Sequence, residues 1–168
     1  LRDEPIASAQ REQLQERLSR RLSGEPLQYV LGSCDFFGHR FAVSPGVFIP
    51  RPETETLAEL AIEFLRRLAA AGPAPWVLEL GTGSGCLAIS LAKAVPTCIV
   101  VAVELSWMAL QVARTNVITH RVEHRLRLVH TDWTTGIRGR FELIVSNPPY
   151  VPDEEVQFLD SRTGDPAL

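Results

Sequence analysis

The first clear periodicity along the chain is helical. Leu14, Leu18 and Leu22 recur every fourth residue in a polar stretch. They predict a helix over residues 9–22 whose narrow apolar stripe packs on its neighbours. Ser23-Gly24-Glu25-Pro26 breaks it. From residue 27 to 49 the texture changes. Short apolar clusters (Tyr29-Val30-Leu31, Phe36-Phe37, Phe41-Ala42-Val43, Val47-Phe48-Ile49) alternate with Gly32, Gly38, Pro45 and Gly46. Strand-and-turn pieces fit this, with a hairpin around Gly38-His39. A second amphipathic helix follows Pro50-Arg51-Pro52-Glu53-Thr54-Glu55. Leu57, Leu60, Ala61, Phe64, Leu65 and Leu68 share one face, and Gly72-Pro73 closes it.

After Gly72 the chain alternates strand and helix. Apolar runs predict strands at 76–80, 98–103, 126–129 and 141–145, with helices at 86–94 and 107–118. Near-continuous apolar strands between helices read as an α/β fold, with a parallel sheet covered on both faces.

Composition narrows the class. At 168 residues, the length alone suggests one packed unit, and 45% hydrophobic residues argue against disorder. A net charge of −3 gives no global basic field for a nucleic-acid backbone, so no direct nucleic-acid partner is expected. No run is long and apolar enough to span a bilayer, and Leu1-Arg2-Asp3-Glu4-Pro5 does not read as a signal peptide. Cys34, Cys86 and Cys98 lack Cys-x-x-Cys spacing. They suit a reducing compartment and read as core residues, with Cys86 a small core residue rather than a nucleophile. A cytoplasmic location is expected, with an organelle left open. His39, His120, His124 and His130 are scattered, so no metal is expected, and His124 and His130 read as surface residues.

Chemistry concentrates at strand ends. Glu79-Leu80-Gly81-Thr82-Gly83-Ser84-Gly85 joins the strand at 76–80 to the next helix. Glycines there permit positive φ and close approach of a ligand to the backbone. A dinucleotide loop has Gly-x-Gly-x-x-Gly, but here the third glycine comes one residue early and Cys86 stands in its place. The tighter spacing resembles the first motif of class I S-adenosyl-L-methionine (AdoMet)-dependent methyltransferases. Glu104 ends the next strand, where a carboxylate can accept both ribose hydroxyls of an adenosine. Thr131-Asp132-Trp133 follows the third. Asp132 can take an adenine amino group and Trp133 can cover the ring.

Ser146-Asn147-Pro148-Pro149-Tyr150 follows the fourth strand. Two prolines extend the turn and remove two backbone donors, leaving a backbone rich in acceptors. That suits a planar NH2 group, held by the Asn147 side-chain carbonyl and the Pro148 backbone carbonyl, with Tyr150 stacking beside it. The element resembles the (Asn/Asp)-Pro-Pro-(Tyr/Phe) motif of amino-methyltransferases, which act on adenine N6, cytosine N4 or a glutamine amide.

Upstream segments choose among these. Gly24-Glu25-Pro26-Leu27-Gln28-Tyr29-Val30-Leu31-Gly32, Phe37-Gly38-His39-Arg40-Phe41-Ala42-Val43 and Phe48-Ile49-Pro50-Arg51-Pro52-Glu53-Thr54-Glu55 resemble the signature of the HemK/PrmC release-factor glutamine methyltransferases. The resemblance runs from about Leu14 to the last residue. It implies AdoMet-dependent methylation of the glutamine of a Gly-Gly-Gln loop in class I peptide chain release factors. It places the cofactor at Glu79, Gly81, Thr82, Gly83, Ser84 and Gly85, with Glu104 at the ribose and Asp132 and Trp133 at the adenine. Asn147, Pro148, Pro149 and Tyr150 would bind the substrate glutamine, with Asn147 also near the methyl group. Arg51 and its neighbours would form a lid strand near the cofactor, the alternative for Arg51 being a surface ion pair. Glu104 departs from the Asp frequent in the family.

The implied organisation is a remnant helix of a recognition domain (1–24), a hairpin linker (25–50) and a Rossmann-like AdoMet-binding domain (51–168). The four strands are expected in the order 3-2-1-4, fewer than a full methyltransferase sheet carries, with the C-terminal strands missing. A monomer is expected. Two other readings stand beside this one: an adenine-N6 methyltransferase of nucleic acid, and an AdoMet-binding fragment without activity.

Overall fold

A computed structural model describes residues 7–148. The first helix, α1 (Ser8–Leu22), is followed by a short α2 (Leu27–Leu31) and a hairpin of β1 (Ser33–Phe36) and β2 (His39–Ala42). Then come α3 (Pro52–Ala71), β3 (Trp76–Leu80), α4 (Cys86–Ala94), β4 (Ile99–Glu104), α5 (Trp107–Thr119), β5 (Leu126–His130) and β6 (Leu143–Ser146). The last four strands form one parallel sheet in the order β5-β4-β3-β6. This is the strand order expected from the sequence.

The sheet order follows from chain economy. Strand-helix-strand crossovers are right-handed, so β3-α4-β4-α5-β5 steps one way and keeps its helices on one face. The chain then returns past β4 and β3 to place β6 on the far side of β3. On the helix-bearing face, Val77, Val100, Ala102, Leu126 and Val145 form one core with residues of α3, α4 and α5. Leu78, Val101 and Val103 face the other way, and Ile137 and Phe141 from the return segment pack there. Among the described residues no helix contributes to that second cluster, so the expected helical cover on both faces is met on one.

Two local readings are revised. Residues Leu27–Leu31 form a helical turn rather than a strand piece. Pro26 sets an extended entry, and Gly32 at φ 70° ends it in the left-handed conformation that glycine adopts without strain. Among the described residues nothing buries the stripe on α1. Leu14, Leu18 and Leu22 are exposed and α1 contributes no buried residue. The helix is held instead by polar contacts, with the Arg20 guanidinium donating to both Glu25 oxygens at 2.7 and 2.5 Å and to the Tyr29 carbonyl at 3.2 Å. Tyr29 in turn is buried and donates its hydroxyl to the Val47 carbonyl at 2.7 Å.

The hairpin is part of the main core. Phe36 and Phe41 are buried with Leu65 of α3 and the apolar face of α4. No described helix is long and apolar enough to cross a membrane. Cys34, Cys86 and Cys98 are free thiols. Burial raises the Cys34 and Cys98 thiols to about 11 and the Cys86 thiol further still, so none is a ready nucleophile at neutral pH.

Candidate functional site

The reversal of strand order at β3 creates the crevice where open α/β sheets take ligands. β6 and β4 flank β3, and the segments leaving their carboxyl ends carry the candidate residues. The loop after β3 is built on three left-handed glycines. Gly81, Gly83 and Gly85 have φ of 70°, 56° and 81°. They serve different ends. A Cβ on Gly81 or Gly83 would meet nothing within 4 Å, so positive φ, not crowding, selects glycine there and the space beside them is open. A Cβ on Gly85 would lie 3.3 Å from the Ala113 Cβ, so that glycine also lets α4 approach α5 closely. The Gly81 and Thr82 amides both donate to the Val103 carbonyl at 3.0 Å, tying the loop to β4.

Two carboxylates shape the crevice. Glu104 accepts from the Gly83 amide at 2.8 Å and from the Ser106 amide at 2.9 Å, one with each oxygen. A carboxylate offers about four lone-pair directions, so two remain for a ribose diol. Glu79 is 3% exposed and accepts from the Thr82 hydroxyl at 2.5 Å. Burial raises its pKa to about 8, against the opposing pull of the Thr82 hydroxyl and the Ala88 amide, with the Glu104 charge adding to the rise. Ser84 is 2% exposed, and its hydroxyl lies beside the Cys86 thiol, on which it exerts a pKa-lowering pull.

These groups fit AdoMet. The Glu104 carboxylate favours a ligand carrying a sulfonium and an ammonium, and disfavours the pyrophosphate of a dinucleotide. Glu104 has acceptor capacity to spare for ribose, and the loop opens beside Gly81 and Gly83.

The protonated Glu79 makes a stability prediction. Its folded pKa is raised, so its stabilising contribution is complete below the unfolded value and is lost as pH rises through about 8. Glu79→Gln stays neutral throughout. Chemical denaturation from pH 5 to 9 should show the parent losing ground to this variant, on the order of 4 kcal/mol by pH 8 to 9. A parallel pH dependence of the two proteins would refute the assignment.

The remaining expected residues are placed as follows. Asp132 and Trp133 directly follow β5 and Thr131, and both are exposed, Trp133 at φ 45°. The Thr131 amide donates to the Glu104 carbonyl at 3.1 Å, so this turn begins beside the end of β4. Asn147 follows β6, next to Ser146, whose hydroxyl donates to the Leu80 carbonyl at 2.9 Å. That bond ties the start of the Asn-Pro turn to the start of the glycine loop. Pro148 is partly buried, while Pro149 and Tyr150 lie outside the described residues. Arg51 caps the start of α3 with its guanidinium over the Phe48 ring, 5.4 Å from the centroid. His124 and His130 are exposed, and the His130 ring lies edge-on to Trp107 at 5.2 Å.

Asn116 on α5 belongs to none of the sequence motifs. It is 1% exposed. Its Nδ2 donates to the Ser84 carbonyl at 2.8 Å and the Ala42 carbonyl at 3.0 Å, and its Oδ1 accepts from the Ala42 amide at 2.8 Å. One side chain thus joins α5, β2 and the glycine loop. The signal was an amide on the same face as Ala109, Ala113 and Val117. Asn116→Ala leaves buried backbone groups unpaired and should cost on the order of 3 kcal/mol, read as a lowered Tm. A change within error would show that the bonds are dispensable.

Comparisons with known proteins bear on the family and the fold. The model of the PrmC N-terminal domain matches residues 1–32. The chain is 42% identical over 169 residues to a release factor glutamine methyltransferase of Chlorobaculum tepidum, covering 95% of this chain and 56% of that one. It is 43% identical to a release factor glutamine methyltransferase of Bordetella pertussis, covering 92% of this chain and 56% of that one. The chain spans about half the length of the curated relatives it matches. Among solved structures, a SAM-dependent methyltransferase from Agrobacterium tumefaciens superposes with a TM-score of 0.56 at 22% identity, covering 70% of this chain and 39% of that one, which supports the fold. The family likeness read from the sequence is borne out. The methyltransferase small domain model matches residues 39–160, most of the chain, and the chain belongs to that family.

Proposed function

We propose that the protein uses AdoMet to methylate the side-chain amide of glutamine in the Gly-Gly-Gln loop of class I release factors. The observation that carries this reading is the join between β6 and β3. There the Ser146 hydroxyl bonds the Leu80 carbonyl, so an acceptor-rich Asn-Pro turn begins beside the cofactor loop. The names of the relatives supply the substrate.

The cofactor brings an activated methyl on a sulfonium, a good leaving group. The chain's own work is binding and orientation. Residues 81–85 and Glu79 take the methionine end, Glu104 the ribose, and Asp132 with Trp133 the adenine. Asn147 Oδ1 and the Pro148 carbonyl each accept one hydrogen of the substrate NH2, with Tyr150 beside it. That grip would turn the nitrogen out of conjugation with its carbonyl and free its lone pair for the methyl carbon, and one of its two hydrogens would leave as a proton to solvent.

The wider organisation belongs to the same proposal. Residues 1–24 serve substrate recognition, 25–50 form the linker and 51–168 the methyltransferase unit. The protein acts as a monomer in the cytoplasm or an organelle, on protein and not on nucleic acid. Incubation with labelled AdoMet and a mixture of release factor and nucleic acid tests the substrate class. Label should enter the protein alone. Label in nucleic acid alone would overturn the proposal in favour of an adenine-N6 enzyme.

A further inference from the structure

Thr54 is 6% exposed at the start of α3, in the stretch Pro52-Glu53-Thr54-Glu55. It continues the buried stripe of Ala58, Ala61, Ile62 and Leu65 into the first turn, and its size alone would pass for core packing. Its hydroxyl does something else. The Asn147 Nδ2 donates to Thr54 Oγ1 at 2.7 Å, joining residues far apart in sequence across the α3–β6 contact.

The Thr54 hydroxyl can accept or donate, and here it accepts from Nδ2, which turns that end of the Asn147 amide toward α3. A primary amide has two donors on one end and an acceptor on the other, and the two ends have almost the same shape. A substrate amide NH2 needs the acceptor end. A flipped Asn147 would face the substrate NH2 with donors on both sides.

We propose that Thr54 is a positioning residue that locks the Asn147 side chain with Nδ2 turned toward α3 and Oδ1 turned toward the substrate amide. The inference rests on the reading of Asn147 as the group that holds the substrate NH2. Thr54 touches neither substrate nor cofactor and acts through Asn147. The neighbouring geometry keeps the lock close. The Thr54 amide donates to the Arg51 carbonyl at 3.0 Å, fixing the first turn of α3, and the Glu55 carboxylate accepts from the Phe37 amide at 2.6 Å, fixing that turn against the hairpin. Ser146, the residue before Asn147, is tied to β3 by its hydroxyl, which donates to the Leu80 carbonyl.

The idea separates from plain packing by a comparison of backgrounds. A carboxylate presents an oxygen whichever way it turns. Asn147→Asp should therefore have little need of Thr54, whereas the asparagine should need it greatly. In the full chain, Thr54→Val keeps the shape and removes the hydroxyl, and Thr54→Ser keeps the hydroxyl and removes the methyl.

Turnover of a Gly-Gly-Gln peptide is measured in both backgrounds, with AdoMet affinity by calorimetry alongside. In the parent, Thr54→Val should lower kcat roughly 10- to 30-fold with AdoMet affinity unchanged, and Thr54→Ser should restore most of it. In the Asn147→Asp background, Thr54→Val should lower kcat by about threefold at most, a coupling that a double-mutant cycle reads directly. Equal losses in both backgrounds, or a loss that follows AdoMet affinity, would overturn the proposal.

A second readout stands apart from activity. In the isotope-labelled protein, the Asn147 side-chain NH2 should show slowed hydrogen exchange that Thr54→Val abolishes and Thr54→Ser retains. Fast exchange in the parent would overturn the lock. A parent that holds the amide yet leaves the Gly-Gly-Gln peptide unmethylated would instead count against the substrate assignment alone.

Discussion

Asn147→Ala should lower turnover roughly 100- to 1,000-fold while leaving AdoMet affinity within about threefold. The side chain sits after β6, on the far side of β3 from Glu104, with its amide held by Thr54. In the proposed site it touches the substrate NH2, and the cofactor only near the methyl. Its acceptor is needed most as the nitrogen leaves conjugation and its N–H groups become more acidic. The loss therefore belongs in kcat, measured by single-turnover methyl transfer at saturating cofactor. Equal losses of turnover and AdoMet affinity would contradict the role.

Glu104→Ala should show the opposite split. Both oxygens already hold backbone amides, Gly83 in the cofactor loop and Ser106 at the start of α5. Removal should slacken the loop and delete the ribose acceptors together. Charge-assisted bonds of this kind contribute about 1.5–3 kcal/mol each, so AdoMet should bind at least about 100-fold more weakly by calorimetry. The kcat at saturating cofactor should fall by no more than a few fold. Glu104→Gln, which keeps one acceptor, should lie between. An unchanged AdoMet affinity in Glu104→Ala would remove Glu104 from the cofactor site.

The two variants address the two halves of one crevice, and the sequence exposed those halves unequally. The parallel sheet and its strand order were readable because Val, Ile and Leu runs recur between helical stripes. Glu104 and Asn147 were readable because one ends a strand and the other directly follows one. Thr54 and Asn116 were not, because their partners lie in distant segments. Asn116 has the spacing of an ordinary core position on α5, and its bonds to Ala42 and Ser84 exist only once the hairpin folds back. The elevated Glu79 pKa was equally hidden. The motif supplies a carboxyl group, but its burial comes from packing beneath α4. The α1 stripe misled for the converse reason: leucine spacing specifies a face, and no described element comes to cover it.

The glycine loop shows how one motif can combine separate demands. Gly81 and Gly83 are there for backbone conformation beside open space, and Gly85 also for the close approach of α4 to Ala113. The spacing that distinguishes this loop from a dinucleotide loop is thus partly a packing signature.

The central claim is transfer of a methyl group to a particular amide nitrogen. Mass spectrometry of a release factor incubated with the protein and AdoMet tests it most directly. The account predicts one added methyl on the glutamine of the Gly-Gly-Gln peptide, on the side-chain nitrogen, and none when Asn147 is replaced by Ala over the same interval. An unmodified glutamine under conditions where AdoMet is bound, or a methyl on any other residue, would contradict it.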